Sequence, residues 1–173
     1  MARCTVSSGG AVKDPGKTLL LGMGNPILRD DAVGIRLANY LGKRLAHLPG
    51  LSVIEECSVG GLNILDVVEG YERLIILDSI KTGKAKPGYW YQFTGESLRE
   101  TMHLDSVHDT NLATALALGR KLGIKLPEDR NIHIFAVEVR DNITFSEQMT
   151  EPLEQGFLEY AEEIYREVAD MLC

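Results

Sequence analysis

A chain of 173 residues, 45% of them hydrophobic, is long enough to bury a sizeable core as one unit, and no shift in composition divides it in two. Its 18 Lys and Arg against 25 Asp and Glu leave a net charge of −7, which disfavours nucleic acid and anionic membrane as partners. The three cysteines, Cys4, Cys57 and Cys173, are odd in number, widely separated and without a Cys-x-x-Cys pair, so a disulfide framework is disfavoured and a reducing cytoplasm is expected.

Residues 1–17 are polar and rich in Gly and Ser, without the apolar stretch of a secretory signal, and read as a flexible tail ahead of a single α/β domain over 18–173. No later apolar run approaches the ~18 residues of a membrane span. Thr18 to Gly22 is a continuous apolar run, the pattern of a parallel strand covered on both faces. It leads into Gly22-Met23-Gly24-Asn25, where glycine admits a positive φ or a close approach of another group. The adjacent acids Asp30 and Asp31 then open a helix expected from Asp31 to Leu45, with Val33, Leu37, Tyr40, Leu41 and Leu45 on one stripe. Leu51 to Glu56 is a second strand, followed by the flexible turn Cys57-Ser58-Val59-Gly60-Gly61 and a short helix near Leu62 to Val68.

The third strand, Arg73 to Asp78, is the most apolar and ends on a carboxylate. A basic loop from Lys81 to Lys86 closes on Pro87-Gly88, and Tyr89 to Phe93 is an aromatic edge strand that could also serve as a docking face. Thr94 to Val107 is irregular. His108-Asp109-Thr110 opens the next helix with Asp109 or Thr110 as N-cap, and Leu112, Leu116 and Leu122 mark its core side. Asn131 to Val139 is the last strand, and Thr150 to Leu172 a long amphipathic helix whose glutamates form a solvated face.

Strands alternating with helices predict a three-layer α/β/α sandwich with a twisted, mostly parallel sheet and one antiparallel edge strand. Ligands of such sheets bind beyond the carboxyl ends of the strands, where Asp31, Asp78 and His108 can converge. Two carboxylates and an imidazole can hold a divalent metal such as zinc or nickel with positions left open. Each also has a plainer reading: Asp30 and Asp31 as helix caps, Asp78 bound to backbone amides, His108 as a hydrogen-bonding residue at a helix start, with His103 as the substitute imidazole. Cys57 is expected to be packed and inert. The Gly22 and Gly24 pair invites a dinucleotide reading, but the third glycine of Gly-x-Gly-x-x-Gly falls on Ile27, which disfavours a nucleotide cofactor.

Leu21 to Gly34, Leu-Gly-Met-Gly-Asn-Pro-Ile-Leu-Arg-Asp-Asp-Ala-Val-Gly, resembles the N-terminal signature of the hydrogenase maturation proteases. Leu74 to Asp78, Ser106-Val107-His108, Ala136 to Val139 and Thr144 to Glu147 resemble later segments of that family in the same order. The resemblance implies an endopeptidase that trims the C-terminal extension of a nickel-iron hydrogenase large-subunit precursor after nickel insertion. It carries catalytic and metal-contacting roles onto Asp31, Asp78 and His108, with nickel arriving in the substrate, and the candidate substrate-binding positions are Gly24, Asn25, Glu56, Gly60 and Gly61. Two departures stand out: Asp31 where many members have Glu, and the Glu56 to Gly61 turn where many have an Asp-Gly-Gly-Thr run. A non-cleaving, nickel-dependent checkpoint protein for the same precursor, or a zinc amidohydrolase for small substrates, would use the same residues.

Overall fold

The computed structural model of the chain describes residues 18–58, 61–100 and 107–172, and the side chains of 99–100 and 107–111 fall outside that description. The expected tail, residues 1–17, and the candidates Gly60 and His103 therefore lie outside the described residues. Five strands build one sheet: β1 (Thr18–Met23), β2 (Leu51–Cys57), β3 (Arg73–Ile80), β4 (Trp90–Thr94) and β5 (Ile132–Glu138). Their order is β2-β1-β3-β5-β4, with β1, β2, β3 and β5 parallel and β4 antiparallel along the β5 edge.

The period-2 alternation of the strands sends their side chains to two separate cores. Leu20, Ile75, Leu77, Phe135 and Val137 face α1 (Val33–Leu45) and α5 (Glu151–Leu172). Leu19, Leu21, Leu74, Ile76 and Ile134 face α2 (Ile64–Val68), α3 (Gly95–Glu100) and α4 (Val107–Lys121). This is the expected three-layer sandwich. Of the stripe read from sequence on α1, Val33, Leu37, Leu41 and Leu45 are buried and Tyr40 is half-buried, and the amphipathic α5 buries Leu153, Phe157, Tyr160, Ala161, Ile164 and Val168. Among the described residues no helix is long and apolar enough to cross a membrane.

Glycine brings α1 unusually close to the sheet. A Cβ on Gly34 would stand 2.2 Å from the Met23 carbonyl oxygen and 2.4 Å from that of Leu77, and one on Gly22 would stand 2.6 Å from the Ala38 Cβ. Two of the signature glycines thus serve helix-on-sheet packing rather than access for a ligand.

Four expectations are corrected. β3 does not end at Asp78 but continues to Ile80, because its ladder with β5 continues through Asp78 opposite Ala136 to Ile80 opposite Glu138. The stretch read as irregular contains α3, started by a reciprocal pair in which the Thr94 amide donates to Ser97 Oγ at 2.9 Å and the Ser97 amide to Thr94 Oγ1 at 3.4 Å. α4 begins at Val107, which places Asp109 and Thr110 inside its first turn and not at the N-cap. Leu122 lies beyond α4 and is exposed, while Leu112 and Leu116 are buried as expected.

Candidate functional site

The parallel strands deliver their carboxyl ends to one rim. Met23 and Gly24 leave β1 there, Asp78 and Ser79 stand near the end of β3, and Glu138 ends β5 opposite Ile80. Between β1 and α1 the chain makes a 3-10 turn, Arg29–Ala32, which carries Asp30 and Asp31 over the same rim.

Asp31 is 5% exposed and both of its oxygens are engaged. The Asn25 amide donates to Oδ2 at 2.8 Å, and the Ser79 hydroxyl donates to Oδ1 at 2.7 Å. Gly24 is required beside it: its φ is +137°, and a Cβ would stand 2.0 Å from the Asp31 carbonyl oxygen. Asn25 fixes the turn further by accepting the Ile27 amide on Oδ1 at 3.1 Å. Of the candidate substrate-binding positions, Gly24 and Asn25 are therefore contacts of Asp31. Asp78, 3% exposed, accepts the amide of Ser79 on Oδ1 at 2.7 Å. Ser79, which the sequence reading passed over, therefore bonds to both acids, to Asp31 through its hydroxyl and to Asp78 through its own amide.

Asp30 is not a cap. No side-chain cap bond starts the 3-10 turn or α1. Its fully buried carboxylate instead accepts the amides of Arg140 (3.1 Å), Asp141 (2.9 Å) and Thr150 (2.6 Å) and the Thr150 hydroxyl (2.9 Å). Those donors lie between β5 and α5, so Asp30 locks that loop onto the signature turn. Backbone bonds complete the seam: Arg29 N–H to Ser146 O and Asp30 N–H to Asp141 O, each at 3.0 Å. Arg29 holds a positive φ of 27°, a left-handed conformation that costs a non-glycine residue about 1–3 kcal/mol and persists because this seam dictates it.

Glu138, 1% exposed, anchors the basic loop after β3. It accepts the amides of Thr82 and Gly83, each at 2.8 Å, the Thr82 hydroxyl at 2.6 Å and the Tyr91 hydroxyl at 3.2 Å. A lone Glu closing an otherwise apolar strand was the only signal for this role.

Glu56 is half-buried near the end of β2 and lines a surface groove of about 600 Å³ with Ile35, Arg36, Asn39, Lys43 and Glu55. Gly61, with φ +63°, starts the 3-10 turn that follows β2, and a Cβ there would meet open space. Cys57 is buried, as expected. The backbone of His108 lies in the first turn of α4. That helix packs against the turn Gly61–Asn63, and its last turns approach Leu65, while Lys125 beyond it binds the Gly70 amide ahead of β3. The chain just beyond α4 therefore reaches the amino rim, and His108 lies at the opposite end of that helix; its side chain lies outside the described residues. His133 opens β5 at the amino rim, where burial and then the Arg73 charge hold its pKa below the ordinary value.

Among the described residues no group of three His, Cys, Asp or Glu is arranged to hold a metal ion. The two carboxylates fit such an ion chemically. Each oxygen of Asp31 accepts one hydrogen bond and retains a second acceptor direction.

Asp141 is a titrating support of the rim. The Thr144 hydroxyl and the Thr144 and Ile143 amides, aided by the Arg29 charge, hold its carboxyl down at about 2. A pKa lowered on folding stabilises above the unfolded value of about 4, and that contribution is lost as pH falls towards 2. Hydrogen-exchange protection at Ile143 and Thr144 is expected to be full at pH 5 and to decline between about pH 4 and 2, and Asp141→Asn is expected to abolish that step. A flat profile in the parent protein would contradict the assignment.

A family model described as hydrogenase maturation protease matches residues 35–167. The match begins just after the signature and includes Asp78 and His108. Among curated proteins, the hydrogenase 2 maturation protease of Escherichia coli (strain K12) is 35% identical over 72 residues, 42% of this chain and 43% of that protein. The aligned segment thus spans less than half the length of that relative. The solved structure of the hydrogenase maturating endopeptidase HybD from E. coli matches with a TM-score of 0.70 and 22% identity over 90% of this chain and 93% of that one. The [NiFe] hydrogenase maturation protease HybD from Thermococcus kodakarensis matches with a TM-score of 0.62 and 23% identity over 87% and 97%. At such identities the structural likeness establishes the fold.

Proposed function

Because the chain belongs to the hydrogenase maturation protease family, we propose that it is an endopeptidase that removes the C-terminal extension of a nickel-iron hydrogenase large-subunit precursor after nickel insertion. The observation that supports this reading is that Asp31 and Asp78 both stand at the carboxyl rim, each hydrogen-bonded to Ser79. The nickel belongs to the substrate, and Asp31, Asp78 and His108 are the groups that contact it. A divalent ion so held can polarise the scissile carbonyl or lower the pKa of a bound water. The chain's own contribution is positional: the Asn25 amide and Ser79 hydroxyl keep Asp31 in place, and the Asp30 seam keeps the whole turn over the rim. Glu56 near the end of β2 and Gly61 in the turn that follows it, together with Gly60, are the positions that meet the substrate peptide. A reducing, cytoplasmic setting suits a precursor that has just received its metal.

The test is incubation of the full chain with nickel-loaded and nickel-free precursor of its cognate large subunit, followed by mass spectrometry. Release of a C-terminal peptide is expected only from the loaded precursor, and Asp31→Asn or Asp78→Asn is expected to slow it by at least ~100-fold, the scale on which a charge at the reacting centre acts. Intact loaded precursor, or an Asp31→Asn variant as fast as the parent, would refute the proposal. Nickel-dependent capture of uncut precursor would favour the checkpoint protein instead.

A further inference from the structure

Building on the function just proposed, on which this inference rests, we propose that Ser79 is the positioning residue that sets the two acids against each other. Asp78 and Ser79 are consecutive on β3, so their side chains leave opposite faces of the sheet, Asp78 with the α2 and α4 layer and Ser79 with the α1 and α5 layer. Asp31 comes from a different element, 48 positions from Ser79 in sequence. Ser79 nevertheless touches both carboxylates, its hydroxyl donating to Asp31 Oδ1 and its amide to Asp78 Oδ1, each at 2.7 Å.

The hydroxyl has no packing reason to be there. Ser79 is 7% exposed at the end of a strand whose other buried side chains are aliphatic apart from Asp78, and alanine would fill nearly the same space. What the hydroxyl adds is a second fixed point. Held by the Asn25 amide alone, the Asp31 carboxylate could turn about its Cβ–Cγ bond; a donor on each oxygen fixes its plane. Because the donor on Oδ1 belongs to the residue after Asp78, that plane is fixed relative to β3. A short aspartate arm is thereby aimed from the strand that carries the other acid. Misplacement by about 1 Å at a reacting centre costs on the order of 100-fold in rate.

The experiment compares the parent, Ser79→Ala, Ser79→Thr and Asp31→Asn as full chains, by precursor cleavage, thermal melting and calorimetric titration with nickel(II) alone. Ser79→Ala is expected to melt about 3–8 °C below the parent, because a buried carboxylate oxygen loses its donor, to lose about 10- to 100-fold in kcat with KM nearly unchanged, and to bind nickel(II) about tenfold more weakly. Ser79→Thr, which keeps the hydroxyl, is expected to recover most of both losses. Parent-like kcat and nickel affinity in Ser79→Ala, beside an inactive Asp31→Asn, would overturn the positioning role and leave the protease reading standing. A lowered melting temperature with kcat unchanged would also overturn it, because that is the signature of packing alone. If the parent releases no peptide, the protease reading fails by itself and nickel(II) affinity decides the role of Ser79: a loss in Ser79→Ala matching that in Asp31→Asn supports it, and equal binding, or none in the parent, overturns it.

Discussion

Asp30→Ala is expected to lower the melting temperature by about 10–15 °C, a larger effect than either acid assigned to the chemistry will show on stability. The side chain is fully buried and accepts four hydrogen bonds, from the amides of Arg140, Asp141 and Thr150 and from the Thr150 hydroxyl. Removing it leaves four donors facing a void at the rim. A donor stranded in this way costs about 1–3 kcal/mol, and water can reach some of the four, so a net loss of about 3–6 kcal/mol follows. Native domains are stable by only about 5–15 kcal/mol in total. Asp31→Asn, by contrast, keeps the shape of the side chain and is expected to abolish cleavage while melting close to the parent. Differential scanning calorimetry of the two variants separates the acid that holds the rim from the acid proposed to act at it. A shift below about 3 °C in Asp30→Ala would show that the loop between β5 and α5 stays in place without it.

The second large effect is expected at Gly34. The added methyl of Gly34→Ala would have to occupy space 2.2 Å from the Met23 carbonyl oxygen and 2.4 Å from that of Leu77, both backbone atoms of central strands. Neither strand can yield, so α1 must lift. Overpacking of this kind costs about 1–3 kcal/mol, and with two backbone oxygens in the way the upper end applies. Because Gly34 follows Asp31 by three residues, the lift also carries the acid off the rim, and cleavage should fall together with stability. Gly156→Ala is the matched control on α5: its methyl would meet nothing nearer than the Tyr160 ring at 3.7 Å, and the higher helix propensity of alanine should stabilise by up to about 1 kcal/mol. Urea titration of both variants reads the difference, and equal midpoints would contradict it.

Much of the architecture was legible in the chain because it rests on local periodicity. The apolar runs of β1 and β3 and the stripes of α1 and α5 each need only neighbours in sequence to be recognised, and each is buried where its pattern put it. Asp31 and Asp78 were legible for a related reason: in a parallel sheet, polar residues just past apolar runs gather at one rim. Asp30 was misread because its partners lie 110 to 120 positions away, so nothing nearby distinguishes it from a helix cap. Ser79 was passed over because a serine beside an acid carries no signal until the turn bearing Asp31 is folded onto it. The end of β3 was set two residues short because its last pairs depend on β5, whose register cannot be read from β3 itself. α3 could have been found, since the Thr94 and Ser97 pair is a helix-start signal written within four residues.

The bonds from Asp30 to Thr150 also order events during synthesis. β1, β2 and β3 are complete once residue 80 has been made, and their mutual pairing needs nothing further along the chain. The acceptors of Asp30, however, have no donors until residues 140 to 150 have left the ribosome. A nascent polypeptide therefore lacks the bonds that hold the signature turn until the segment leading into the final helix has been made.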